Sequence, residues 1–250
     1  MSKIISVHSF RGGTGKSNTS ANLTYLTAAK GLRVGVVDTD IQSPGIHVLF
    51  GLDDQDVGHS LNDYLWGKCK IEETAHDVTA TLGSQLKGKV FLIPSSIKAG
   101  EIARVLREGY DVGLLNEGFE SLIKNLNLDI LFIDTHPGLN EETLLSIAIS
   151  DTLVLILRPD QQDYQGTSVT VEVARKLGVP QMLLMVNKVP AMLMKEVKQR
   201  IEKLYDCEVA AVVPHSDDLM TLASAGIFSM RYPDHPVTKL YAQLTDRVLA

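Results

Sequence analysis

Three glycines within four positions, Gly12, Gly13 and Gly15, lie between a mostly apolar run and a segment of helical periodicity. No other stretch constrains the fold as tightly as this one, Ser9 to Asn18, which reads Ser-Phe-Arg-Gly-Gly-Thr-Gly-Lys-Ser-Asn. The order is strand, loop, helix: Ile4 to Val7 leads in, and Lys16 and Ser17 lead out. Residues without Cβ let the backbone turn tightly and aim successive N–H groups at one point, where the helix N-terminus adds partial positive charge. Such a loop suits phosphate. Lys16 is then placed to reach the β- and γ-phosphates of a nucleotide, and the Ser17 hydroxyl to ligate Mg²⁺. The common pattern G-x-x-x-x-G-K-[ST] is met only in part, because its first glycine would fall on Phe10. The variant K-G-G-x-G-K-[ST] fits, with Arg11 at its leading basic position.

After the loop, Ser17 to Lys30 reads as a helix with Leu23, Leu26 and Ala29 inward and Gly31 as its C-terminal cap. The valine-rich run Arg33 to Val37 follows and ends in Asp38-Thr39-Asp40. A helix of roughly 14 residues descends about 21 Å and a strand of about six residues climbs back about as far, so both aspartates return to the edge that carries the glycine loop. Ile41 to Lys70 reads as a switch-like excursion with short helices at His47 to Phe50 and Leu61 to Trp66, in which Tyr64 and Trp66 are packing residues. Ile71 to Lys89 gives no clear pattern. Strands are expected at Val90 to Pro94, Asp129 to Asp134, Thr152 to Leu157, Met182 to Val186 and Val209 to Val213. Helices are expected at Glu101 to Leu106, Leu115 to Leu126, from Glu141, and at Gly166 to Leu177, Met192 to Leu204, Asp217 to Ala223 and Val237 to Leu249.

Apolar strands alternating with helices are the pattern of an α/β fold, a mostly parallel twisted sheet covered on both faces. No Pro/Ser linker, repeat or low-complexity segment divides the chain, so one domain over residues 1–250 is expected. Ligands of such sheets sit beyond the carboxyl ends of the strands. The polar motifs fall there: Arg11 to Ser17, Asp38 and Asp40, Asp134 to Gly138, Asn187-Lys188, and Pro214-His215.

A net charge of −6 argues against a broadly basic nucleic-acid binder. Cys69 and Cys207 are too few and too distant for a disulfide framework or a C-x-x-C metal site, and the seven histidines show no H-E-x-x-H spacing. With no apolar stretch near 18 residues and no signal-peptide pattern, a cytoplasmic protein is expected.

The loop resembles the deviant Walker A box of the ParA/MinD family of P-loop ATPases, with Arg11 where the family has lysine. The resemblance implies the three-layer P-loop NTPase fold, ATP or ADP with Mg²⁺ as ligands, and an ATP-bound homodimer in which the leading basic residue reaches the partner's nucleotide. Arginine keeps the charge but differs in length and shape, and a plain loop cation is the alternative reading of Arg11. Gly12, Gly13, Thr14, Gly15, Lys16, Ser17 and Asn18 are then expected to line the nucleotide. Leu131-Phe132-Ile133-Asp134 resembles a Walker B strand whose aspartate holds Mg²⁺ opposite Ser17, and Asp134 to Gly138 resembles the second switch. By the same resemblance Asp40 positions the attacking water, and Asp38 supports the switch and the metal's water shell. Asn187, with Lys188 beside it, falls where the family hydrogen-bonds the adenine edge, and Pro214 where a loop covers the base. His136 reads as a surface loop residue, with contact to a partner subunit as the alternative.

The resemblance thus implies a slow, partner-stimulated ATPase, with Lys16, Asp40 and Arg11 as catalytic residues, that positions or regulates a cellular cargo. The rival is a nucleotide-sensing scaffold with negligible hydrolysis. An iron–sulfur carrier would want a C-x-x-C pair that is absent. Lys188, Lys195, Lys198, Arg200 and Lys203 are open to two readings, a non-specific DNA-binding patch or a solvated helix face with i,i+4 pairs. The last helix has core spacing and few cations, so packing is expected of it and not membrane anchoring.

Overall fold

The computed structural model describes residues 2–53, 55–84 and 86–250. Its strands are β1 (Lys3–His8), β2 (Arg33–Asp38), β3 (His76–Asp77), β4 (Lys89–Ile93), β5 (Ile130–Asp134), β6 (Thr152–Leu157), β7 (Gln181–Val189) and β8 (Glu208–Pro214). Among the described residues they form one eight-stranded sheet in the order β3-β4-β2-β5-β1-β6-β7-β8. Every pairing is parallel except β3 with β4.

The strands are apolar on both sides because both faces are covered. In β5, Ile130 and Phe132 join one core while Leu131 and Ile133 join another, and β6 divides Val154 and Ile156 from Leu153, Leu155 and Leu157 in the same way. The helices are α1 (Lys16–Ala29), α2 (Ile46–Leu49), α3 (Leu61–Leu65), α4 (Ala99–Glu108), α5 (Gly113–Asn125), α6 (Glu141–Ala148), α7 (Gln161–Lys176), α8 (Met194–Tyr205), α9 (Asp217–Leu222), α10 (Phe228–Arg231) and α11 (Pro236–Leu249). One face of the sheet packs on α1, α2, α10 and α11. The opposite face is shared by two clusters, one built with α3, α4 and α5 and the other with α6, α7 and α8. Where these two meet, the central strand turns polar: Ser6 Oγ lies 3.0 Å from the Ser146 carbonyl oxygen and 2.7 Å from Ser150 Oγ. Small hydroxyl side chains let α6 approach the strand closely while keeping its buried polar groups paired.

The helix that follows the glycine loop departs from its expected amphipathic pattern. Leu23 is fully buried, but Leu26 and Ala29 are half-buried, and Ala21, Thr24, Thr27 and Ala28 go inward with Leu23. The sheet lies on one side of α1 and the α10–α11 pair on the other, so small and polar residues are buried around most of its girth. Asn22 pins it there, accepting from the Ser229 amide at 2.7 Å and donating to the Asn18 carbonyl at 2.7 Å. Helix α7 begins at Gln161, five residues before the expected Gly166, because the Asp160 carboxylate caps it by accepting from the Gln162 and Asp163 amides. The patternless stretch 71–89 contains two 3-10 turns and the edge strand β3. Tyr64 and Trp66 pack as expected: the Tyr64 hydroxyl donates to the Leu114 carbonyl at 2.9 Å, and the Trp66 ring lies 4.3 Å from the Arg104 guanidinium.

Gly88 registers the end of this stretch against α1. Its amide donates to the Ala28 carbonyl at 2.9 Å, and a Cβ there would stand 2.0 Å from the Leu32 carbonyl oxygen. Backbone cannot yield as a side-chain tip can, so Gly88→Ala should cost about 2 kcal/mol or more, read as a lower urea midpoint. Gly100→Ala in α4, with open space around the added methyl group, should leave the midpoint unchanged or raise it. Equal midpoints for Gly88→Ala and wild type would contradict this packing.

Candidate functional site

The glycine loop joins β1 to α1. Gly13 has φ of +75° and Gly15, the N-cap of α1, has φ of +102°, a region that side chains with Cβ rarely enter. No side chain caps α1, so its first amides stay available to an anion. From the end of β7, Asn187 Nδ2 donates to the Thr14 carbonyl at 2.8 Å and Lys188 Nζ to the Gly13 carbonyl at 2.9 Å. Two loop carbonyls are thereby engaged on the β7 side. A Cβ at Gly15 would lie 2.6 Å from Asn187 Nδ2, so the loop and the Asn187 amide occupy mutually fitted space.

The loop leads into a buried concentration of charge. Lys16 is 7% exposed, and burial lowers its pKa against the pull of Asp134, Asp40 and Asp38. β2 and β5 set Asp38 beside Asp134 in register, at the carboxyl edge that sequence spacing had indicated. Burial lifts Asp134 to about 6, although Ser17 and Ser20 donate to its carboxylate and Lys16 lies near, with the Ser20 hydroxyl at 2.8 Å. Burial, and next the charge of Asp134, push Asp38 well above the usual carboxylate range, while the amides of Gly45 and Asp40 hold it at 3.1 and 3.0 Å. One lysine therefore faces three carboxylates in a low-dielectric corner. A hydroxyl and a carboxylate on facing elements are hard oxygen donors suited to Mg²⁺. Among the described residues no three His, Cys, Asp or Glu side chains form a metal cage. That is compatible with Mg²⁺, which keeps waters and takes phosphate oxygens in place of a full protein shell.

The remaining expected residues divide. Asp40, 16% exposed, accepts from the Ser43 amide at 3.1 Å and lies 2.6 Å from His136 Nδ1. His136 is 22% exposed and tied to Asp40 within its own chain, so it is no loose surface residue. Arg11 turns toward the start of α7, where Nη1 lies 3.7 Å from Asp160 and 3.6 Å from Asp163, distances set by charge and too long for hydrogen bonds. Asn18 contributes its carbonyl to Asn22. Pro214 ends β8 beside Val189, the residue that directly follows Asn187-Lys188. Of the cations on α8, Lys198 pairs with Glu202 at 3.8 Å and Arg200 stacks over Tyr164 at 5.6 Å, the contacts of a solvated helix face. Helix α11 buries Val237, Tyr241, Leu244 and Val248, as packing requires, and among the described residues no helix is long and apolar enough to cross a membrane.

Sequence reasoning passed over several supporting residues. Ser20 lies one helical turn beyond Ser17, a spacing that could have flagged it. His8 is fully buried with Nδ1 2.7 Å from Thr135 Oγ1, and burial together with Lys16 and His136 lowers its pKa to about 3, so it stays neutral. Gly166 leaves room for the Phe10 ring, which would stand 2.1 Å from a Cβ there.

A left-handed glycine loop, a buried lysine at a helix N-terminus and strand-end carboxylates at the edge of a parallel sheet define a P-loop nucleotide-binding protein. Residues 2–179 match the family model described as an AAA domain. The chain is 26% identical over 252 residues to an ATP-binding protein of Methanocaldococcus jannaschii, covering 100% of this chain and 88% of that one. It is 32% identical over 161 residues to the flagellum site-determining protein YlxH of Helicobacter pylori, covering 63% of this chain and 49% of that one. The septum site-determining protein MinD of Pyrococcus horikoshii, solved with Mg-ADP, superposes with a TM-score of 0.80 at 23% identity, covering 99% of this chain and 96% of that one. The chain belongs to the ParA/MinD family of P-loop ATPases.

Calorimetric titration with Mg-ADP checks the loop. Gly15→Ala should abolish binding, since it adds both backbone strain and a clash with Asn187. Asn187→Ala should weaken binding about tenfold, the value of one buried hydrogen bond. Unchanged affinity in either variant would show that the loop geometry is not what holds the nucleotide.

Proposed function

We propose that this chain is a Mg²⁺-dependent ATPase that dimerises with ATP bound, hydrolyses it slowly, and uses the cycle to position or regulate a cellular cargo with a partner protein as activator. The convergence of Lys16, Ser17, Asp134 and Asp40 at one buried edge carries this reading. The loop amides and Lys16 would bind the phosphates, and Ser17 with Asp134 would hold the metal, directly or through water. When bound, Mg²⁺ would offset charge that develops on the transferred phosphoryl group. Asp40, less buried than Asp38, would orient the attacking water in line with the γ-phosphate. Lys188 and the Asn187 amide, which brace the loop here, would flank the nucleotide, with Asn187 toward the base and Pro214 covering it. Arg11, which no hydrogen bond ties to Asp160 or Asp163, is free to exchange those carboxylates for phosphate on a second subunit. The site-determining roles of two similar proteins, YlxH of Helicobacter pylori and MinD of Pyrococcus horikoshii, support a positional cargo.

Phosphate release measured beside mass in solution tests the reading. The wild-type chain should dimerise on Mg-ATP and release phosphate slowly, and Asp40→Ala should dimerise yet release it about a hundredfold more slowly. A wild-type chain that dimerises but hydrolyses no faster than Asp40→Ala would instead be a nucleotide-sensing scaffold.

A further inference from the structure

His136 belongs to the turn Asp134-Thr135-His136-Pro137-Gly138, and that turn is fastened at both ends. The Thr135 hydroxyl donates to the Val7 carbonyl at 3.1 Å, and the Gly138 amide to the Ser9 carbonyl at 3.2 Å. Pro137 restricts the backbone of His136 to extended conformations, and Gly138 completes the turn with φ of +87°. The imidazole therefore stands on a rigid base that shares its anchors with the start of the glycine loop. Opposite it, the segment after β2 is tied by the Thr39 amide and hydroxyl, which donate to the Asp134 carbonyl at 2.9 and 3.0 Å.

Across this gap His136 Nδ1 and Asp40 Oδ1 approach to 2.6 Å. The Ser43 amide donates to the same oxygen at 3.1 Å. Asp40 Oδ1 thus takes two donors from two directions, while among the described residues Oδ2 takes none. An aspartate has two side-chain torsions, and a pair of donors on one oxygen fixes both. Its other oxygen is then presented in a single direction with its lone pairs unspent.

We infer that His136 is a positioning residue for Asp40: its Nδ1–H holds one carboxylate oxygen so that the other is aimed at the water that attacks the γ-phosphate. This rests on the ATPase reading above and adds to it a residue outside the glycine loop and the metal set. It also joins the segments after β2 and β5 through a side chain, so that a change at one is felt at the other. Asparagine is the conservative replacement, because its Nδ2–H can reach the region that His136 Nδ1 occupies.

Steady-state hydrolysis, Mg-ADP affinity and thermal midpoint, measured for His136→Ala, His136→Asn, Asp40→Asn and the His136→Ala/Asp40→Asn pair, test the inference. His136→Ala should lower kcat at least tenfold, as misplacement of a reacting group by about 1 Å does, with KM, Mg-ADP affinity and midpoint unchanged. His136→Asn should recover most of the loss, and His136→Ala should cost nothing further on the Asp40→Asn background. Imidazole ¹⁵N resonances of the nucleotide-free protein should show His136 with a proton on Nδ1 that shifts in Asp40→Asn. An unchanged kcat in His136→Ala beside an inactive Asp40→Asn would overturn the inference and leave the ATPase reading intact. A loss of kcat together with affinity and midpoint, not recovered by asparagine, would reduce His136 to a structural role and also overturn it. Full activity in Asp40→Asn would remove Asp40 as the residue that orients the water and overturn the inference with it, whereas absence of hydrolysis in the wild-type chain would remove the ATPase reading itself.

Discussion

Lys16 enters the protein interior where Asp38, Asp40 and Asp134 also converge, and the geometry around it follows from keeping these charges together out of water. Burial works against the ionised forms of Lys16, Asp38 and Asp134, lowering the lysine and raising the two carboxylates, so the corner is stable only with compensating partners. Some of those partners are internal: the hydroxyls of Ser17 and Ser20 and the amides of Gly45 and Asp40. The rest of the balance falls to what binds there. A triphosphate with its divalent cation brings negative charge to the lysine and positive charge to the carboxylates at once, which no single ion would do.

The fold serves this corner by register. Parallel strands bring the last residues of β1, β2 and β5 to a common edge, so that Val7, Asp38 and Asp134 lie side by side. Helix α1, enclosed by the sheet and by α10 and α11, carries Lys16 at its first position and cannot shift without disturbing two layers. On the far side β7 sends Asn187 and Lys188 to the glycine loop's carbonyls. The loop is therefore held from outside before any ligand arrives. That preorganisation reduces the ordering cost of binding.

Much of this was legible in the chain itself, because the strongest features are local. The glycine spacing, the apolar strands and the aspartates that end them each follow from short-range rules, and the parallel sheet with helices on both faces follows from their alternation. What escaped were features decided by distant residues. The place of Asn187 at the carboxyl edge follows from its strand end, but the hydrogen bond that its amide donates to Thr14, a partner 173 positions away, does not. Gly166 looks like a helix start and is instead a gap for Phe10, inside a helix that Asp160 caps earlier. His136 looks like loop surface until Asp40 is brought to it from another strand. The stretch 71–89 has neither helical nor strand period, since it is shaped by its packing against α1 and β4.

Amide hydrogen exchange across residues 11–18, with and without saturating Mg-ATP, tests the central claim most directly. If main-chain amides of the glycine turn enclose the phosphate chain, exchange at Gly13 through Ser17 should slow by orders of magnitude on binding, more than at any exposed loop elsewhere. Equal exchange rates in that turn with and without nucleotide, beside protection in another part of the molecule, would contradict the account.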